Sequence, residues 1–408
     1  MNKFYFFLCF TALLGSALKG QAQESTSDKK VSWYDKVSLG GYLQMRYNDL
    51  YKSNPDMENP QGDKTYGGYE GFSIRRMRVK VSGQIHSRMY FYFQADFASD
   101  GKNMGQLRNA YFDYFLDEDG VFRIRGGQSK IPFGYENLQS SQDRLALDRN
   151  DPLNSSHKDE RDLNVSFMWT PKEIKDRFKT LKKTGLKGSG DYGALNLMVY
   201  NGQKANELIP NVEKPQHLAL RATWPFHLES GQFIETSIQA YTGQYITTTV
   251  ADGVNVRNAD GQVTETSALL HKWDDQRIGA SIIYYPQPFG FQAEYNFGYG
   301  PEYDPATNTI GKEALSGGYM QVMYQAKVKN HTLFPFIRFM QYDGGKKFEQ
   351  DARSYDMKEL EFGLEWQPHK NFELVSIYTL ADRRYEDSKK PDNRQKGQLL
   401  RFQLQVNF

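Results

Sequence analysis

The last twelve residues, "GQLLRFQLQVNF" (Gly397–Phe408), alternate without a break. Leu400, Phe402, Leu404, Val406 and Phe408 fall on one side of an extended chain, and Arg401, Gln403, Gln405 and Asn407 on the other. Successive side chains of a strand point to opposite faces of its sheet. This segment therefore has an oily face and a wet face. "SRMYFYFQADF" sets Met89, Phe91, Phe93, Ala95 and Phe97 against Arg88, Tyr90, Tyr92, Gln94 and Asp96. "LEFGLEW" sets Leu360, Phe362, Leu364 and Trp366 against Glu361, Gly363 and Glu365.

Period two predicts sixteen strands, near 38–48, 73–85, 88–97, 106–116, 121–129, 162–170, 192–200, 215–224, 232–243, 276–285, 289–298, 317–328, 332–342, 357–367, 372–382 and 397–408. The runs at 192, 276 and 372 alternate poorly. The connections carry a second signal. Long polar segments (49–71, 98–105, 130–161, 201–214, 244–275, 299–316, 343–356, 383–396) alternate with brief ones such as "HS" at 86–87 and "KNH" at 329–331. Short periplasmic turns and long external loops belong to an antiparallel barrel in a bacterial outer membrane. The expected fold is all-β: a transmembrane antiparallel β-barrel over 38–408. One connection breaks the rule, since 171–191 lies on the short-turn side yet carries seven lysines and arginines. It reads as a solvated basic turn or as a landing site for anions leaving a pore.

The 408 residues include 27 Phe and 27 Tyr, yet the mean hydropathy is −0.71 and 25% are charged. Beyond the N-terminus no apolar run approaches the ~18–20 residues of a membrane helix. "MNKFYFFLCFTALLGSALKGQAQ" has Lys3, an apolar core and small residues near Ala22, which is the pattern of a secretory signal over 1–22. A short periplasmic segment, 23–37, would follow. Cys9, the one cysteine, would leave with the signal, so neither disulfides nor thiolate metal sites are expected. Removing Lys3 and Lys19 turns 51 basic against 49 acidic residues into 49 against 49. A neutral total argues against a bulk polyanion binder such as a nucleic-acid protein.

"FSIRRMRVKVSG" (Phe72–Gly83) holds two adjacent arginines. From Met77 on, the apolar residues are odd-numbered; before the pair, Phe72 and Ile74 are even. A β-bulge at Arg75–Arg76 would turn both arginines to the lumen, whereas leaving Arg75 on lipid at mid-membrane costs roughly 2–4 kcal/mol. The alternative puts Arg75 at the outer rim against lipopolysaccharide phosphate. The inward positions are Arg46, Arg75, Arg76, Arg78, Lys80, Arg88, Arg123, Arg125, Arg221, Arg277, Lys327, Arg338 and Arg401, against a smaller set of acids, Asp96, Asp113, Glu235, Glu294, Glu359, Glu361 and Glu365. A cation-rich wall concentrates anions, and the planar guanidinium fork suits phosphate oxygens.

At these residues the chain resembles the phosphate-selective porin O and P family, through "FSIRRMRVKVSGQI", "FYFQADF", "LRNAYFDYF" and "GGQSKIPFGYENLQSSQDRLALDRND". The resemblance implies a sixteen-stranded trimer in the outer membrane that passes phosphate or related anions, with its third external loop, 130–161, folded inward. It implies that Arg75 and Arg76 line the constriction, Arg78 continues their wall, Lys130 introduces the loop, and Arg144 and Arg149 add to the eyelet. Asp143, Asp148 and Asp151 dilute the loop's charge. A general or sugar- or peptide-permeable porin with weak anion preference is the alternative, with Tyr42, Tyr90, Tyr92, Tyr111 and Tyr241 as a possible track. The seven histidines are scattered, and no hydrolase, zincin or nucleotide motif occurs. A channel without cofactor is expected rather than an enzyme, in contact with lipid, lipopolysaccharide and small anions.

Overall fold

A computed structural model describes residues 33–52, 71–97, 105–204, 209, 213 and 215–408. The expected signal sequence and the middle of the first loop lie outside the described residues. Strands follow one another as β1 (Val37–Lys52), β2 (Gly71–His86), β3 (Met89–Asp96), β4 (Gln106–Phe115), β5 (Phe122–Lys130), β6 (Arg161–Trp169), β7 (Leu195–Tyr200), β8 (His217–His227) and β9 (Phe233–Ile246). After a small hairpin, β10 (Asn255–Arg257) and β11 (Val263–Ser267), come β12 (Lys272–Tyr284), β13 (Phe289–Asp304) and β14 (Thr309–Tyr324). A short continuation, β15 (Ala326–Val328), leads to β16 (His331–Gly345), β17 (Ser354–His369), β18 (Phe372–Glu386) and β19 (Arg394–Asn407).

Sixteen of these form a closed antiparallel barrel, the seam being β1 against β19, with Leu43 opposite Val406 and Arg46 opposite Gln403. Closure removes the unpaired edges that an open sheet would expose. The alternation sorts the faces as the sequence predicts. Phe362, Leu364 and Trp366 are exposed on the outer wall, while Glu361 and Glu365 are buried within. Phe402 and Val406 likewise face out, and Arg401, Gln403 and Gln405 face in. The three poorly alternating runs are β7, β12 and β18, so the count of sixteen holds.

Two expectations are corrected. The loops at 299–316, 343–356 and 383–396 are shorter than their polarity implied. Pairing of β13 with β14 runs up to Asp304–Thr309, and β16 with β17 up to Gly345–Ser354. Polar residues there mark where lipid ends, not where the strand ends. The basic segment 171–191 is no open turn, because it contains a helix, Lys172–Lys183, with Ile174, Phe178 and Leu181 buried. Its cations tie it to the barrel: Lys175 donates to the carbonyls of Asp119 and Gly120, and Arg177 to that of Pro225.

The wall is uneven. Strands β3 to β7 have 6 to 10 residues, whereas β12 to β14 and β16 to β19, apart from the short β15 continuation, have 13 to 16.

Candidate functional site

The arginine pair sits on a bulge. Arg76 pairs with Gln44 and Ile74 with Met45, so Arg75 is the extra residue in β2. Ile74 and Met77 stay exposed on the outer face, while Arg76 and Arg78 are buried. The same device recurs one hairpin later. Asn109 pairs with Gln94 and Leu107 with Ala95, which leaves Arg108 as the extra residue of β4. Arg108 is buried and donates to Asp159. Sequence reading missed this second bulge, although two adjacent polar residues, Arg108 and Asn109, are the same signal.

The third loop enters the lumen through "GQSKIPFG". Gly134 has φ +87°, and a Cβ there would stand 2.5 Å from Leu153 and 2.8 Å from a Glu294 carboxylate oxygen. Only glycine fits both the turn and the close approach. Ile131 and Phe133 are buried against Leu153, Met198, Tyr200 and Tyr241. Lys130 turns its ammonium to the carbonyls of Leu138 and Gln139, at 3.1 and 2.9 Å, and so braces the loop's first short helix, Tyr135–Leu138. A second, Asp151–Ser156, is capped by Asn150, whose side chain accepts from the Leu153 N–H.

Carboxylates of the loop clamp it across the lumen. Asp148 binds Arg46 of β1 at 3.1 Å and Arg401 of β19. Glu136 meets Arg338 of β16 at 3.0 Å, and Asp151 meets Arg383 of β18 at 3.3 Å as well as Lys346. Arg277 of β12 donates to the Pro152 carbonyl at 3.1 Å and to Ser155. Burial would raise the Asp151 carboxyl, but Lys346 and Arg383 hold it below its ordinary range. Burial likewise opposes the charge of Glu160, yet Arg149, Arg161 and Lys130 keep it well below. The acids that dilute the loop's charge are thus its anchors.

The remaining cations group on the other wall. The charges of Arg75, Arg78 and Arg144 all act on Arg76. Arg76 donates to the Gln44 side chain at 2.9 Å, and among the described residues no carboxylate pairs with it. Arg144 has neither an ion pair nor a hydrogen bond among the described residues, and its Nε is buried without a partner. Arg78 is paired with Asp96 at 2.7 Å, Arg149 with Glu160 at 2.9 Å. Lys80 is half-buried near Lys182 and Asp143. Arg123 and Arg125 lie toward the turn end and are matched by Asp191 at 2.8 Å and Asp113 at 2.7 Å. Four sequence-predicted residues, Arg75, Arg76, Arg78 and Arg144, therefore come together, while Lys130, Arg123 and Arg125 are committed to local partners.

A sequence profile described as phosphate-selective porin O and P matches residues 39–408. The chain belongs to this family. It is an outer-membrane porin. No curated protein matches the sequence significantly. Among solved structures, OmpF of Salmonella typhi is similar with a TM-score of 0.55 and 12% identity, covering 91% of this chain and 97% of that one. The anion-selective porin of Comamonas acidovorans gives 0.54 at 9% identity, covering 91% and 99%. A trimer form of OmpT from Vibrio cholerae gives 0.52 at 10% identity, with the same coverage. At such identities the likeness concerns the barrel alone.

Proposed function

We propose that this porin passes small anions by diffusion, phosphate or a related oxyanion foremost, past Arg75, Arg76, Arg78 and Arg144. The observation that carries the reading is the pair of cations without a carboxylate among the described residues, Arg76 on the wall and Arg144 on the inward loop. Two guanidinium forks offered from different elements can take a phosphate from two sides. Arg78, already paired with Asp96, adds a weaker site below them. A permeant ion must leave as well as bind, so graded sites favour passage over trapping.

A second reading, a general porin with weak anion preference, draws on the many inward arginines already neutralised by acids. Reversal potentials in planar bilayers under a salt gradient separate the two. Strong anion selectivity and block by phosphate, both lost in Arg76→Ala, support the first. Cation selectivity in the unmodified protein overturns it.

The reading includes export through the N-terminal signal and assembly as a trimer. Membrane-spanning strands take about 9–11 residues, and β3 and β7, with 8 and 6, fall short. Their outer face carries Phe93, Leu195, Leu197 and Val199 exposed, which suits burial against another copy. Lipid and lipopolysaccharide would cover the taller wall.

A further inference from the structure

Below the arginines, the wall of β3 to β5 carries a row of tyrosines that the anion reading leaves unused. Tyr92 and Tyr111 are directly paired across the strands, with rings stacked at 5.3 Å and 12°. The Arg125 guanidinium covers Tyr111 at 3.8 Å and reaches to 5.8 Å from Tyr192, which the basic turn-end segment supplies. Asp113 holds Arg125 in place through two hydrogen bonds, at 2.7 and 2.8 Å. The three rings are half-buried, and among the described residues their hydroxyls have no protein partner.

The opposite side of the lumen treats tyrosine differently. There the hydroxyl of Tyr241 donates to Asp275, Tyr285 to Glu235 and Tyr342 to the Gly345 carbonyl. A partnerless but accessible hydroxyl inside a barrel is bonded to water or to whatever passes. The Tyr92 and Tyr111 rings spend a face on each other and Arg125 covers Tyr111, so the hydroxyl tips remain for a solute. Each tip can both donate and accept, as the hydroxyls of a sugar ring can.

A cation stands one step away. Lys80 is two residues from Ser82, and Ser82 pairs with Tyr92, so the ammonium's strand position lies about 7 Å above the tyrosine row. Lys182 faces it from the helix of the turn-end segment, with Asp143 between. Asp113 is neutralised by Arg125 and Asp143 by Lys182, so neither carboxylate adds net charge beside the row.

We infer that the preferred solute is a phosphorylated sugar, its phosphate passing from Arg76 and Arg144 to Lys80 while its ring hydroxyls bond Tyr92, Tyr111 and Tyr192. This rests on the anion reading and narrows it. The test is block of chloride current in planar bilayers by glucose 6-phosphate, inorganic phosphate and glucose. Glucose 6-phosphate should half-block at a concentration about tenfold below phosphate, the worth of one or two net hydrogen bonds. Glucose alone should not block. Changing all three tyrosines to phenylalanine, which keeps the ring stack, should bring the two half-blocking concentrations together. Equal block by both anions in the unmodified protein overturns the sugar assignment and leaves the anion reading standing. So does a triple variant that weakens phosphate block as much as sugar phosphate block. Cation selectivity removes both.

Discussion

The two sides of the lumen use the same residue types for opposite ends. Along β12 to β19, the arginines at 277, 338, 383 and 401 are spent on the third loop, gripping Ser155, Glu136, Asp151 and Asp148. That side is packed, and its tyrosines are tied. Along β2 to β5 the arginines at 75, 76 and 78 gather beside Arg144, and the tyrosines keep accessible hydroxyls. Charge inside a barrel therefore says little until its partners are counted. An arginine matched by a buried carboxylate acts mainly as a bolt, and an unmatched one attracts a solute far more strongly.

Breaking the bolts should have the largest effect. Asp148→Ala leaves Arg46 and Arg401 buried with one partner fewer, and loss of one member of a buried pair costs about 3–5 kcal/mol. The loop should undock, with single-channel conductance rising and thermal unfolding moving lower. Unchanged conductance would mean that the other clamps suffice.

Removing the unmatched cations comes next. Arg76→Ala combined with Arg144→Ala should lower the chloride-to-potassium permeability ratio by about an order of magnitude, as expected when a focusing patch is lost, while stability holds. Changing Arg338→Ala instead should cost stability and leave the ratio nearly intact. The reverse outcome would invert the assignment of the two walls.

Acid gives a smaller, graded test. Asp151 and Glu160 are held below the ordinary carboxylate range by their cationic neighbours. Their contribution to docking is complete above the unfolded value, about 4, and fades as pH falls through the lower folded value. Conductance should thus stay flat from pH 8 to about 4 and rise only below. A rise beginning near pH 6 would point to another group.

The smallest contrast compares single hydroxyls. Tyr285→Phe breaks a 2.8 Å bond to Glu235 and should cost about 1 kcal/mol in chemical denaturation. Tyr111→Phe, with no protein bond to lose among the described residues, should change stability by less than about 0.5 kcal/mol.

Much of the barrel was legible because lipid outside and water inside impose a strict period of two. The last strand declares it through Leu400 to Phe408, and the phase change between Ile74 and Met77 even located a bulge. Strand ends were less legible, since polar residues such as Glu302 and Lys312 continue a ladder beyond the membrane. The loop's role was legible in "GQSKIPFG", but its anchors were not. Pairing of Asp148 with Arg46 and Arg401 joins residues separated by 102 and 253 positions, and no local pattern records it. The helix at Lys172–Lys183 was hidden by its lysines, which disguise an apolar stripe of Ile174, Phe178 and Leu181.

Asp148 touches the first strand and the last, the two that meet at the seam. Its seat is therefore complete only when the chain's beginning and end have found each other. Until then the loop lacks this clamp, and the filter it carries is not fully held against the wall of Arg76. The seam and the filter mature together, so a half-zipped barrel is also an unselective one.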